Sequence, residues 1–96
     1  MYKVFEVKLE KDEIISEVIS DDLVSRQTIS VRDGKSLGMK EDVKYAMIEG
    51  SEEAIERAEE IFSEEDVGEA ENAEKVREKI KEEDQAAAEG MGTVFG

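Results

Sequence analysis

The residues able to do chemistry in this chain are its carboxylates. The 96 residues include 27 acidic and 13 basic side chains, for a formal net charge of -14, with no histidine and no cysteine. Imidazole triads, thiol chemistry, disulfides, zinc fingers and iron–sulfur clusters are excluded with them. Carboxylates without nitrogen or sulfur partners suit hard cations, Ca²⁺ with Mg²⁺ as competitor, which take six or more oxygen ligands. Such a site needs acids gathered on a turn, and two places qualify. Glu64-Glu65-Asp66-Val67-Gly68-Glu69 sits in a break between apolar-striped segments, with Glu64, Glu65, Asp66 and Glu69 as candidate ligands. Asp21 and Asp22 close an earlier helix and are expected to converge on Glu41 and Asp42. Neither is an EF-hand. Counting from Glu64, position three is Asp66 but position five is already Gly68, so the register of that loop fails. The competing reading of both places is structural, a solvated inter-helix loop and ordinary turn chemistry at a helix end.

Other chemistry has less behind it. Paired carboxylates act as general acid and base only where a pocket separates their pKa values, and these acids fall on solvent-facing stripes and turns. The expectation is a protein that is not an enzyme, with no catalytic residue. Gly34-Lys35-Ser36 lacks the upstream glycine of a phosphate loop, and Gly90-Met91-Gly92 lacks the flanking strand and helix of a nucleotide fingerprint. A chain at -14 repels nucleic acid and anionic membrane surfaces. No run approaches the ~18 apolar residues of a membrane span, and no basic segment leads into an apolar signal core. A cytoplasmic monomer is the expectation. Twenty glutamates with lysines retained make the ion-pair composition of thermophiles, while the absence of proline runs against it.

The elements that must position these acids are legible in outline. Tyr2–Leu9 alternates, with Phe5, Val7 and Leu9 set against Glu6, Lys8 and Glu10, and predicts a strand with one buried face. Ile14, Ile15, Val18 and Ile19 then form a helical stripe that Asp12 can cap. A second strand is expected over Arg26–Arg32, closed by an Asp33-Gly34 hairpin turn. Lys35–Met39 is the expected return arm, with Gly38 marking a bulge. Val43–Ile48 reads as a further strand. Ser51 is a natural N-cap for the stripe Ala54, Ile55, Ala58, Ile61 and Phe62. A last helix is expected from about Glu69, with Ala70, Ala73, Val76 and Ile80 as its thin stripe.

This order predicts one α+β domain of two layers over residues 1–80, with a mostly antiparallel sheet. Residues 81–96 are expected to be a fraying helix end and a glycine-rich tail, whose Thr93-Val94-Phe95 could dock as a strand. Charge divides unevenly, with a net of -3 over residues 1–50 and -11 over residues 51–96. An acidic helical face of that kind offers the alternative to a metal site, docking of a basic protein partner.

The opening strand Met1-Tyr2-Lys3-Val4-Phe5-Glu6-Val7, the Asp21-Asp22 corner and the Glu64–Glu69 loop together resemble the small acidic hypothetical proteins of methanogenic archaea. That resemblance spans most of residues 1–80. It implies an α+β fold, calcium binding at acidic loops and no assigned enzyme activity, with the same loop acids as the matching positions.

Overall fold

A computed structural model describes the backbone of residues 1–95 and the side chains of residues 1–85. Alternation in the first segment produces strand β1, Tyr2–Lys8, but its apolar residues serve both faces. Phe5 and Val7 point one way and Val4 the other, and all three are buried. Leu9 does not continue the alternation. It enters a 3₁₀ turn, Leu9–Lys11, and is 45% exposed. Helix α1, Glu13–Ser20, buries Ile14, Ile15 and Val18 and leaves Ile19 exposed. Asp12 makes no side-chain cap, and its carboxylate instead accepts from Lys44 Nζ at 3.2 Å.

Strand β2 is Thr28–Asp33, shorter at its start than expected because Val24–Arg26 coils into a 3₁₀ turn. Strand β3, Val43–Glu49, lies between the other two, so the sheet order is β1-β3-β2 and both pairings are antiparallel. β2 and β3 are joined by a longer connection than a two-residue hairpin. Lys35–Leu37 forms a 3₁₀ turn where a return arm was expected, and Gly38, at φ 72°, closes it. Gly34 lies in the right-handed helical basin at φ -58° and ψ -38°. Its requirement for glycine is space, because a Cβ there would lie 2.0 Å from the Lys40 carbonyl oxygen.

Helix α2, Glu52–Ser63, follows the expected pattern throughout. Ser51 Oγ accepts from the Ala54 N–H at 3.2 Å, and Ala54, Ile55, Ala58, Ile61 and Phe62 are buried. Helix α3, Ala73–Phe95, begins four residues later than the stripe predicted. The intervening Gly68–Ala70 runs extended along the outer edge of β1. There the Glu6 N–H donates to the Gly68 carbonyl at 3.3 Å and the Ala70 N–H to the Val4 carbonyl at 2.9 Å. Ala70 is buried as part of this strap rather than of a helix, in one cluster with Val4 and with Val76 and Ile80 of α3. The fraying end and docking tail expected over residues 81–96 fall mostly on 86–96, outside the residues whose side chains are described.

The class is α+β with an antiparallel sheet, as the element order predicts. The two layers expected become three, because helices cover both faces. On one face Phe5, Val7, Ala46 and Ile48 pack against α1 and α2, and the Phe5 and Phe62 rings stack at 4.4 Å. On the other face Val4, Tyr45 and Met47 receive Val76 and Ile80 of α3. Among the described residues no polar or charged side chain is buried, and no helix is long and apolar enough to cross a membrane.

Candidate functional site

The loop carrying four of the candidate ligands is built by the end of α2. The Val67 N–H donates back to the Phe62 carbonyl at 3.0 Å and the Asp66 N–H to the Ser63 carbonyl at 3.1 Å. That nested pair is a Schellman ending, which requires a left-handed residue before the returning apolar one. Asp66 supplies it at φ 57°, a conformation that a short polar side chain tolerates better than most. Val67 then drops into the core beside Phe62. The fold therefore holds Asp66 at the apex with its carboxylate exposed, and Glu64, Glu65 and Glu69 are exposed as well.

The strap carries the loop against β1 and forms a cleft of about 390 Å³ between them. Glu6, Asp66 and Glu69 contribute carboxylates to its walls, and Lys8 and Lys11 contribute ammonium groups. Lys11 Nζ donates to the Glu65 carbonyl at 2.9 Å and ties the first 3₁₀ turn to the loop. Glu6 accepts from Lys40 Nζ at 3.2 Å and from the Tyr45 hydroxyl at 3.4 Å. The Glu6 bond holds the Lys40 ammonium above its ordinary pKa, and burial raises the Tyr45 hydroxyl. Asp66 and Glu69 make no ion pair with any described residue.

Asp21 has a different role. Its Oδ2 accepts the N–H groups of Leu23 at 3.1 Å and Val24 at 3.2 Å, and its Oδ1 accepts Arg57 Nε at 2.9 Å. The Arg57 bond, followed by the backbone N–H of Val24, pulls the Asp21 carboxyl below the ordinary carboxylate value. Both its oxygens thus fasten the α1 corner to α2. Asp22 is exposed, and its carbonyl accepts from Ser25 Oγ at 3.1 Å. Glu41 and Asp42 are exposed, and the Asp42 carbonyl accepts the Leu9 N–H at 3.1 Å, at the entrance to α1. Asp21–Asp22 and Glu41–Asp42 therefore lie at opposite ends of α1, an eight-residue helix about 12 Å long, and do not converge.

Sequence reasoning placed Glu6 on the solvent face of β1 and missed its approach to the loop. The signal lay in Val67 and Ala70, whose burial pins the strap to β1, but their spacing also fits a helical stripe. Among the described residues no group of three or more acidic side chains stands close enough to hold a metal ion in this arrangement. Comparison of the chain with protein-family models, with curated proteins and with solved structures gives no match.

Proposed function

We propose that the protein binds a divalent cation, calcium in preference to magnesium, at the cleft between β1 and the loop of residues 64–69. The observation that carries this reading is that Glu6, Asp66 and Glu69 line one cleft, Asp66 and Glu69 exposed and without an ion pair among the described residues, so that gathering them on an ion takes side-chain rotation. Exposed Asp and Glu side chains rotate freely, so closing them on an ion costs little beyond rotamer entropy. Calcium's irregular six- to eightfold oxygen shell also suits loop carboxylates better than magnesium's strict octahedron. Relief of repulsion in a chain at -14 adds to the drive.

A second reading, docking of a basic protein on the acidic helical face, is favoured by α2. Glu52, Glu53 and Glu56 are exposed and unpaired among the described residues, whereas Glu59 and Glu60 engage Lys3 and Arg57. The two readings separate in a Ca²⁺ titration of isotope-labelled protein, with Mg²⁺ and Na⁺ at matched ionic strength. Saturating amide shifts confined to Glu6 and Glu64–Glu69 support the cation site. Asp66→Gly should abolish them while preserving the fold, since glycine is the preferred residue at a left-handed helix ending. Small, unsaturating shifts along every acidic segment would remove calcium and leave the basic partner.

A further inference from the structure

The two outer edges of the sheet are treated differently. In an antiparallel pair, alternate residues direct their N–H and C=O groups toward the partner strand and the others direct them away. The Gly34 N–H donates to the Val43 carbonyl at 2.9 Å, which fixes the phase of β2 against β3. With the observed register, Thr28, Ser30 and Arg32 bond to β3, and Ile29, Val31 and Asp33 face outward. The same rule turns Val4 and Glu6 outward on β1, and those are the residues that the strap covers. On β2 no described backbone segment does the same. The Val31 carbonyl is met at 3.0 Å by its neighbour Arg32, and the Asp33 carbonyl at 2.9 Å by Ser36 Oγ. The N–H groups of Ile29, Val31 and Asp33 and the Ile29 carbonyl have no backbone partner among the described residues. No residue of β2 is fully buried, whereas β3 buries five of seven. Unpaired edges of this kind recruit further strands unless proline, charge or a bulge blunts them; Thr28–Asp33 has no proline and no bulge, and its charges are confined to Arg32 and Asp33 at one end.

We propose that β2 pairs with β2 of a second copy, antiparallel across a two-fold axis at Ser30, giving a continuous six-stranded sheet. The occupant follows from the strand's own complementarity. Centring the axis on Ser30 sets Ile29 of one copy opposite Val31 of the other, twice, joining two outward-facing backbone pairs and two half-buried β-branched side chains. Arg32 then faces Thr28, so no like charges oppose. At each end Asp33 of one copy meets Gln27 of the other, next to Arg26. Asp33 and Arg26 are both exposed and make no ion pair with any described residue. Arg32 is already paired with Glu83 and Asp84 of α3, at 3.1 and 3.0 Å, so the unpaired charges of segment 26–33 are Arg26 and Asp33, one of each sign in a molecule at -14. An isologous dimer takes the place of the monomer expected from sequence.

Charge exchange at the strand ends tests the pairing. Arg26 and Asp33 lie seven residues apart, about 20 Å along extended chain, so they cannot pair within one copy. Sedimentation equilibrium at 0.15 M salt should show a concentration-dependent dimer. Arg26→Glu and Asp33→Arg should each raise its dissociation constant about fivefold, as loss of two exposed ion pairs predicts. Combining the two should restore it, because each reversed residue then meets the other across the axis. Circular dichroism of the single variants checks that both remain folded. A monomer at every concentration up to the millimolar range, or a double variant no tighter than the singles, overturns the proposal.

Discussion

Replacing Gly34 with alanine gives a test in which two explanations of one residue predict opposite signs. At φ -58° and ψ -38° the backbone of Gly34 is where alanine is most at ease. A glycine there for flexibility alone would make the substitution stabilising by about 0.4–1 kcal/mol, through a less entropic unfolded chain. The structure gives another reason for glycine. The added methyl would sit 2.0 Å from the Lys40 carbonyl oxygen and 3.1 Å from Val43 Cγ2. The first of these is a main-chain atom and cannot swing aside. Relief requires moving a connection in which the Gly34 carbonyl accepts from Met39 at 2.8 Å and the Gly34 N–H donates to Val43 at 2.9 Å. Overpacking costs about 1–3 kcal/mol. Taking the middle of each range, about 2 less about 0.7, the net loss is about 1.3 kcal/mol, or a fall in Tm of about 5–10 °C for a domain of this size. Urea unfolding followed by far-UV circular dichroism measures it directly. Gly38→Ala is the control, since a Cβ there meets nothing within 4 Å but must accept φ 72°, at a cost of about 1–2 kcal/mol. A Gly34→Ala midpoint at or above that of the parent chain, alongside a lowered Gly38→Ala midpoint, would refute the steric account.

Two more outcomes follow from packing and charge. Ile80 is fully buried in the cluster beneath α3, so Ile80→Ala should lose about 2–5 kcal/mol in urea titration, and an unchanged midpoint would mean that α3 does not seat on the sheet. Asp21 is held below its ordinary value near 3.8 by Arg57 and the Val24 N–H, so its stabilisation is complete above that value and is lost as pH falls through the lowered folded value. Asp21→Asn should melt earlier at pH 7 and show a shallower acid limb in melts from pH 2 to 7, and parallel limbs would sink the assignment.

What the sequence made legible was whatever a single face decides. The α2 stripe buries five apolar residues on one side, and both the stripe and its Ser51 cap are evident from residue spacing alone. In β1 the alternation of Phe5, Val7 and Leu9 predicts one buried face, whereas Val4 beside Phe5 breaks strict alternation and is buried on the second. Buried pairs of that kind mean that something covers the second face, and α3 covers it. The loop of residues 64–69 was found by its acids, but Asp66 owes its position to the Schellman ending and Val67. Glu6 joined the cleft through a strap whose Ala70 fits helix and strand patterns equally. Convergence of Asp21–Asp22 with Glu41–Asp42 was a long-range question that local spacing cannot answer, and α1 keeps the two apart.

One alternation governs both edges of the sheet, and it separates the cleft from the dimer. Even-numbered residues of β1 face outward, which brings the strap to Val4 and Glu6 and so carries Asp66 and Glu69 to the side chain of Glu6. Odd-numbered residues of β2 face outward on the far side of β3, where no described backbone segment lies across them. A cation at the first edge and a second copy at the second would touch no residue in common. Calcium should therefore shift the amides of Glu64–Glu69 without moving the dimer's dissociation constant beyond the general effect of reducing net charge, an effect that Mg²⁺ at matched ionic strength reproduces only if it binds as well. Coupling larger than that would mean that β3, the one strand both edges share, transmits strain across the sheet, and the independence argued from the register would fail.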